Sequence, residues 1–324
     1  MASTLSPLYP WQQTLWRQFQ QSWQQQRLPH ALLLHGADGM GKQAFANNIA
    51  AALLCQQPKN QHACGQCTAC HWLATGNHLD YLIYQADIGK ALKIDDIRQL
   101  LGQALLTPRH GRYQIFCITP ADAMNRAAAN ALLKILEEPP AQTLLLLLSA
   151  HHFRLLPTVR SRCQSFNFDR CEKEPQQHWL AQQTQQSVEQ AAALLAAAKS
   201  PLQAVKHPNL LLEQEKIWAD WQAVLQQRQD MVSVALSWAK TDVEQVLDCL
   251  SAGLMLVIRQ RMGLMPATHL LMPWANQCSI SQLFTLLQLI WQQQQTLQQQ
   301  QLKPQTALEA VLLASLNPDT ATPQ

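Results

Sequence analysis

Four cysteines in the stretch "CQQPKNQHACGQCTAC", Cys55, Cys64, Cys67 and Cys70, have the spacing of a metal site. Two-residue gaps let neighbouring thiolates converge on one ion, and four thiolates complete the closed tetrahedral shell of a structural Zn²⁺. His62 or His71 is the alternative ligand if one cysteine does not bind. An iron–sulfur cluster would ask for Cys-Pro after a three-residue gap from Cys70, and Ala74 stands there. Free surface thiols are the plainer alternative. Cys117, Cys163, Cys171, Cys249 and Cys278 are scattered and read as core or incidental residues.

A second stretch, "HGADGMGKQ", is built for anions. Gly36, Gly39, Gly41 and Lys42 fit the phosphate-loop pattern G-x-x-x-x-G-K-[S/T], but Gln43 takes the place of the Mg²⁺-binding hydroxyl. The chain has only 10 glycines, yet three of them fall between Gly36 and Gly41. They follow an expected strand and open an expected helix, so bare N–H groups and a helix N-terminus would face a phosphate. The alternative is an ordinary glycine-rich strand-to-helix turn. A nucleoside triphosphatase also needs an acid at the end of a later strand. The candidate, "QIFCITPAD", ends in Thr119 and Pro120, while Asp122 reads as a helix cap. Both metal supports are absent, so no hydrolysis by this chain is expected. Binding of ATP or ADP through Lys42 is left open.

The elements that must carry these residues are legible from the apolar runs. With 324 residues, 48% of them hydrophobic, the chain has material for two or three domains. A net charge of +3 neither demands nor excludes nucleic acid. No basic, apolar leader opens the sequence, and no run approaches the roughly 18 apolar residues of a membrane span. A cytoplasmic protein with reduced cysteines is therefore expected. Runs at residues 31–36, 80–86, 112–119, 143–149 and 163–168 alternate with helical patterns. Their continuous apolar character predicts a parallel sheet covered on both faces, an α/β fold. After about Asp169 the strand signal stops. Two short helices follow, the second with a cap at Ser187 and Gln190. From about residue 208 the pattern is all-α, with stripes at Val243, Val246, Leu247, Leu250 and Leu254 and at Leu283, Phe284, Leu287 and Ile290. Glutamine tracts such as "WQQQQTLQQQQ" read as solvated helix faces.

One further segment is distinctive. "NALLKILEEPP", Asn130 to Pro140, predicts a helix stopped by two prolines, with glutamates at the C-terminal end that the macrodipole disfavours. Together with "LPHALLLHGADGMGK", "CGQCTAC" and "TVRSRCQ", it resembles the bacterial sliding-clamp loader ATPases of the AAA+ class, the tau/gamma and delta-prime subunits of DNA polymerase III. The four motifs match in order and spacing over about residues 9–170. The resemblance implies an AAA+ P-loop-like domain at 1–169 with a zinc module at 55–70. It also implies a small helical lid at 170–207 and a helical collar for oligomerisation at 208–324.

Active tau/gamma subunits keep the hydroxyl and the acidic pair, so the changes at Gln43, Thr119 and Pro120 point to the delta-prime branch. The lid arginine of such proteins also has no counterpart in "KSPLQAV". Arg162, in "SRC", matches the family's arginine finger, which completes the ATP site of a neighbouring subunit. The implied role is a non-hydrolysing subunit of a DNA-directed DNA polymerase (nucleotidyltransferase) holoenzyme. Its partners would be tau/gamma and delta clamp-loader subunits and, indirectly, the sliding clamp and primed DNA. Two alternatives stay open. One is a self-sufficient ATPase with an atypical metal site at Asp122; the other is a zinc-containing nucleic-acid binder using Arg98, Arg109, Arg112 and Arg126.

Overall fold

The computed structural model of the chain describes residues 7–86, 90–110, 112–266, 269–298 and 303–317. The first six residues, where a leader would begin, and residues 299–302, which include the end of the glutamine tract, lie outside them. The chain forms two compact units, Met1–Pro208 and Asn209–Gln324.

The first unit is built on five parallel strands: β1 Ala31–His35, β2 Tyr81–Gln85, β3 Gln114–Thr119, β4 Thr143–Ser149 and β5 Gln164–Asn167. They lie in the order β2-β3-β4-β1-β5, the parallel α/β sheet that the apolar runs predict. Helices α1 (Gln13–Gln24), α2 (Lys42–Leu54), α3 (Thr68–Ala74), α4 (Ile94–Ala104), α5 (Arg126–Glu137) and α6 (Pro157–Arg160) connect and cover it. Alternate residues of the central strands feed two separate cores. Leu32, Leu34, Leu144, Leu146 and Leu148 pack with Phe45 and Ile49 of α2 on one face. Leu33, Leu145, Leu147, Phe116 and Ile118 pack with Ile97, Leu132 and Ile135 of α4 and α5 on the other. Burial on both faces is why these strands read as unbroken apolar runs.

Strand β2 departs from that expectation. It is an edge strand, and its Ile83 is 44% exposed because one side of the sheet ends there. A second correction concerns Asp122. The cap of α5 is Asn125, whose side chain accepts from the Ala128 N–H at 2.8 Å, while Asp122 accepts from Ser149 Oγ at 2.6 Å. The cysteine stretch is an insertion between α2 and β2.

The same unit continues into α7 (Lys173–Thr184), α8 (Val188–Ala198) and α9 (Pro201–Lys206). Ser187 and Gln190 form the expected capping box of α8, with mutual bonds of 3.2 and 3.1 Å.

The second unit is helical: α10 (Leu210–Leu225), α11 (Met231–Trp238), α12 (Val243–Arg261), α13 (Met272–Ala275), α14 (Ile280–Gln298) and α15 (Pro304–Leu316). The first stripe turns its Val246, Leu247, Leu250 and Leu254 into the core. In the second, Leu283, Leu287 and Ile290 are buried, but Phe284 is 42% exposed and Leu286 takes the inward position. The inward set 283, 286, 287 and 290 follows the i, i+3, i+4, i+7 period of a helix and packs against α12 and α15, while Phe284 falls outside the stripe. Gly253 lies where a Cβ would come within 2.6 Å of Trp218 Nε1. That close approach lets the indole donate to the Cys249 carbonyl at 2.8 Å.

Candidate functional site

Helices α2 and α3 bring the cysteines together. Cys55 ends α2, Cys67 is the N-cap of α3, Cys70 lies on α3, and Cys64 comes from the loop between the two helices. Among the described residues, these four ligand atoms form one group lying within 4.8 Å of one another. The Cys55–Cys67 and Cys64–Cys70 sulfurs are 3.8 and 4.0 Å apart. Metal–sulfur bonds of about 2.3 Å in a tetrahedron place sulfurs about 3.8 Å apart, close to the separation of these two pairs. The Cys64 N–H donates to Cys55 Sγ at 3.2 Å, which supports thiolate charge there. Backbone N–H groups of Gln66 and Cys67 hold the Cys64 thiol down at about 6, while burial pushes those of Cys55 and Cys70 up. The histidines are not part of the group. His62 Nε2 accepts from Trp16 Nε1 at 3.1 Å, and His71 points outward from α3.

The phosphate loop joins β1 to α2 as its spacing predicts, with Gly36, Gly39 and Gly41 at φ of 141°, 82° and 79°. These are left-handed or extended-positive conformations that only glycine takes readily. Its polar groups, however, are engaged by the chain itself. Lys42 Nζ donates to the Gly36 and Ala37 carbonyls at 2.6 and 2.9 Å and lies 3.6 Å from Asp38. Burial lowers its pKa, with the Asp38 carboxylate opposing that effect. The Ala37 N–H donates to Asp169 Oδ1 at 2.8 Å. Gln12, fully buried, donates to the Met40 and Gly41 carbonyls at 3.0 Å each, and Trp11 Nε1 to Met40 at 3.1 Å.

Aromatic rings pack over this side of the loop. Tyr9 stacks on Trp11 at 4.7 Å, and Trp179 of α7 meets both edge-on. A Cβ on Gly41 would lie 2.6 Å from the Tyr9 ring. From the opposite side α9 docks on Gly39: the Leu202 N–H donates to the Gly39 carbonyl at 3.2 Å, and Ser200 Oγ occupies the space a Cβ would need. A cleft of about 430 Å³ persists beside Ala37, Met40 and Asp169, with Lys173 and Lys199 on its wall.

The metal supports are rearranged too. Gln43 turns to Asn47 at 2.9 Å and to Cys117 Sγ at 3.8 Å. Complete burial pushes the Cys117 thiol up to about 12. Tyr81 donates to the same Asn47 Oδ1 at 2.7 Å, so Gln43, Asn47 and Tyr81 form a polar bridge between α2 and the sheet.

Arg162 lies in the turn between α6 and β5. Its side chain is 37% exposed, and its Nη2 is 2.9 Å from Glu137 Oε1 at the end of α5. Nη1 donates to the Thr158 carbonyl at 3.1 Å. Arg160 differs: its Nε is buried without a hydrogen-bond partner. Cys163, next in the motif, tucks inward to the Val159 carbonyl at 3.2 Å, and burial pushes its thiol up to about 12. Glu137 escaped the sequence reasoning as a partner, although its unfavourable place at a helix C-terminus was the available signal. Asp169, Gln12 and Trp179 gave no signal, since nothing in their spacing ties them to the loop. The arginines of the nucleic-acid alternative are dispersed: Arg98 on α4 pairs with Asp95 at 3.1 Å, Arg109 and Arg112 precede β3, and Arg126 begins α5.

Among the described residues no helix is long and apolar enough to cross a membrane. Residues 11–172 match the family described as "DNA polymerase III, delta subunit". The chain is 46% identical over 160 residues to DNA polymerase III subunit delta' of Pseudomonas aeruginosa, covering 49% of this chain and 48% of that protein. It is 36% identical over 195 residues to the subunit delta' of Escherichia coli, covering 60% and 58%. DNA polymerase III subunit tau of Salmonella typhimurium is 33% identical over 154 residues, 48% of this chain and 24% of that one. The matches to the delta' proteins thus span about half of their length. The family match at residues 11–172 includes the cysteine module, the phosphate loop and the turn carrying Arg162. The chain belongs to the delta-prime family of DNA polymerase III subunits.

Proposed function

We propose that this chain is a non-hydrolysing subunit of a sliding-clamp loader, acting in the cytoplasm beside tau/gamma and delta subunits to place the clamp on primed DNA. Arg162 serves as an arginine finger in the ATP site of the neighbouring subunit. The observation that carries this reading is the contrast between an exposed guanidinium at Arg162 and a phosphate loop whose lysine bonds its own carbonyls. A guanidinium stabilises charge developing on a transferred phosphoryl group, whereas Lys42 would first have to give up both carbonyl contacts. Gly36, Gly39, Gly41 and Lys42 therefore act as a structural loop in the proposal. Gln43, Thr119 and Pro120 leave Mg²⁺ without its usual protein ligands.

The cysteine module completes the proposal. Cys55, Cys64, Cys67 and Cys70 would hold one structural Zn²⁺, which would tie the end of α2 to α3. The division into a P-loop domain at 1–169, a lid at 170–207 and a collar at 208–324 belongs to the same reading. Metal analysis of purified protein should return about one zinc per chain, lost together on Cys67→Ser. For the central claim, Arg162→Ala in the reconstituted complex should lower DNA-stimulated ATPase while leaving assembly intact. Unchanged turnover would remove the finger assignment, and ATP turnover by the purified chain alone would favour the self-sufficient ATPase.

A further inference from the structure

Helix α5 ends on a carboxylate where its dipole would favour a cation, and that carboxylate lies against Arg162. Most other ion pairs described in the first unit join near neighbours in sequence. Arg98–Asp95 lies within α4 and His178–Glu174 within α7, both strongly exposed. Glu137–Arg162 instead joins the end of one element to the turn after another, with side chains 52% and 37% exposed at 2.9 Å. Helices α5 and α6 pack against each other, so the carboxylate's distance from the turn is set by the core formed by Leu132, Ile135, Leu136 and Val159.

We infer that Glu137 is a positioning residue for Arg162, holding the guanidinium in the pose from which it reaches the neighbouring subunit's nucleotide. This inference rests on the arginine-finger reading. A guanidinium has five N–H donors in a planar fork. The chain's own acceptors engage both η nitrogens, Glu137 through Nη2 and the Thr158 carbonyl through Nη1. Two anchors on separate elements fix the plane of the fork and leave the remaining N–H groups for phosphoryl oxygens. Without Glu137 the single anchor at Thr158 permits rotation about the side-chain torsions, and each turnover must select the productive rotamer. The carboxylate takes no proton and makes no contact with nucleotide in this role; its effect passes through Arg162. Because the pair is partly solvated, its contribution is modest, and a several-fold rather than a many-decade effect is expected.

The test uses the reconstituted complex with full-length chains, measuring kcat and KM for DNA-stimulated ATP hydrolysis. Five versions of this chain are compared with wild type: Glu137→Gln, Glu137→Asp, Arg162→Ala, the Glu137→Gln/Arg162→Ala double variant and Glu138→Gln. Glu137→Gln should lower kcat by about three- to fivefold with KM unchanged and normal assembly and thermal midpoint. Glu137→Asp should recover part of that loss, and Glu137→Gln should add nothing once Arg162 is alanine. Glu138→Gln, the neighbouring charge, serves as control and should match wild type. Wild-type turnover by Glu137→Gln alongside a damaging Arg162→Ala would overturn the positioning role and leave the finger standing. So would a loss that persists in the double variant, a loss matched by Glu138→Gln, or failed assembly of both Glu137 variants. Wild-type turnover by Arg162→Ala would remove the finger and the positioning role together.

Discussion

The phosphate loop and the turn carrying Arg162 sit on the same sheet and end in opposite conditions. The loop keeps its conspicuous motif, and the chain's own side chains take up its polar groups. Asp169 accepts from Ala37, Gln12 donates to Met40 and Gly41, and Lys42 donates backward to Gly36 and Ala37. The turn has a motif of three residues, yet it leaves a guanidinium in water with two light tethers. A motif therefore says where a chain came from, whereas exposure and hydrogen-bond occupancy say what its groups are still free to do.

That contrast can be broken at either end. The largest effect should come from the turn. Under the proposed finger role of Arg162, turnover of the assembled complex should fall by about 10³ or more on Arg162→Ala. Arg162→Lys should recover little, because an ammonium lacks the planar fork. A single-turnover ATPase assay of the complex reads both. At the loop, by contrast, substitutions should cost stability and spare turnover. Gly41→Ala forces a side chain into φ of 79° and into the Tyr9 ring, 2.6 Å away. A loss of about 3 kcal/mol is expected in denaturant unfolding, from strain and overpacking together.

Lys42→Met gives the sharper test, because it removes a charge that a working P-loop needs. Here it should cost about 1–3 kcal/mol through the lost bonds to Gly36 and Ala37, with ATPase of the complex unchanged. A fall in turnover at normal stability would return Lys42 to phosphate binding. The smallest effect concerns pH. His35, just before the loop, has its pKa lowered by burial and then by His152. Its unfolded form therefore binds a proton first as pH drops below the ordinary histidine value, so folding stability should decline over that range and level off below the folded pKa. His35→Gln should flatten the acid limb of a stability–pH curve. The Arg162–Glu137 contact should respond instead to salt, being open to solvent.

The architecture was legible where burial leaves a mark on sequence. Apolar runs, unbroken in β1, β3 and β4, gave the sheet, and the glycines with Lys42 gave the turn from β1 to α2. The cysteine spacing was legible for a related reason, since four ligands of one ion must come close along a short chain. What the sequence could not show were relations between distant residues. Asp169 and Trp179 reach the loop only because β5 and α7 pass beside it. Leu286 rather than Phe284 completes the i, i+3, i+4, i+7 stripe of Leu283, Leu287 and Ile290, a preference the helix period itself carries. The assignment of Asp122 as a cap failed for a local reason: Asn125 lies one turn closer to the helix start, and Ser149 at the end of the neighbouring strand β4 donates to Asp122.

Gly39 gives the loop a mechanical property as well. With no side chain there, α9 settles directly on the backbone, Leu202 bonded to the Gly39 carbonyl and Ser200 filling the vacated volume. In a joint bridged by a diffusible ligand, stiffness rises and falls with the concentration of that ligand. Here the joint is riveted by the polypeptide, so its stiffness is written into the sequence.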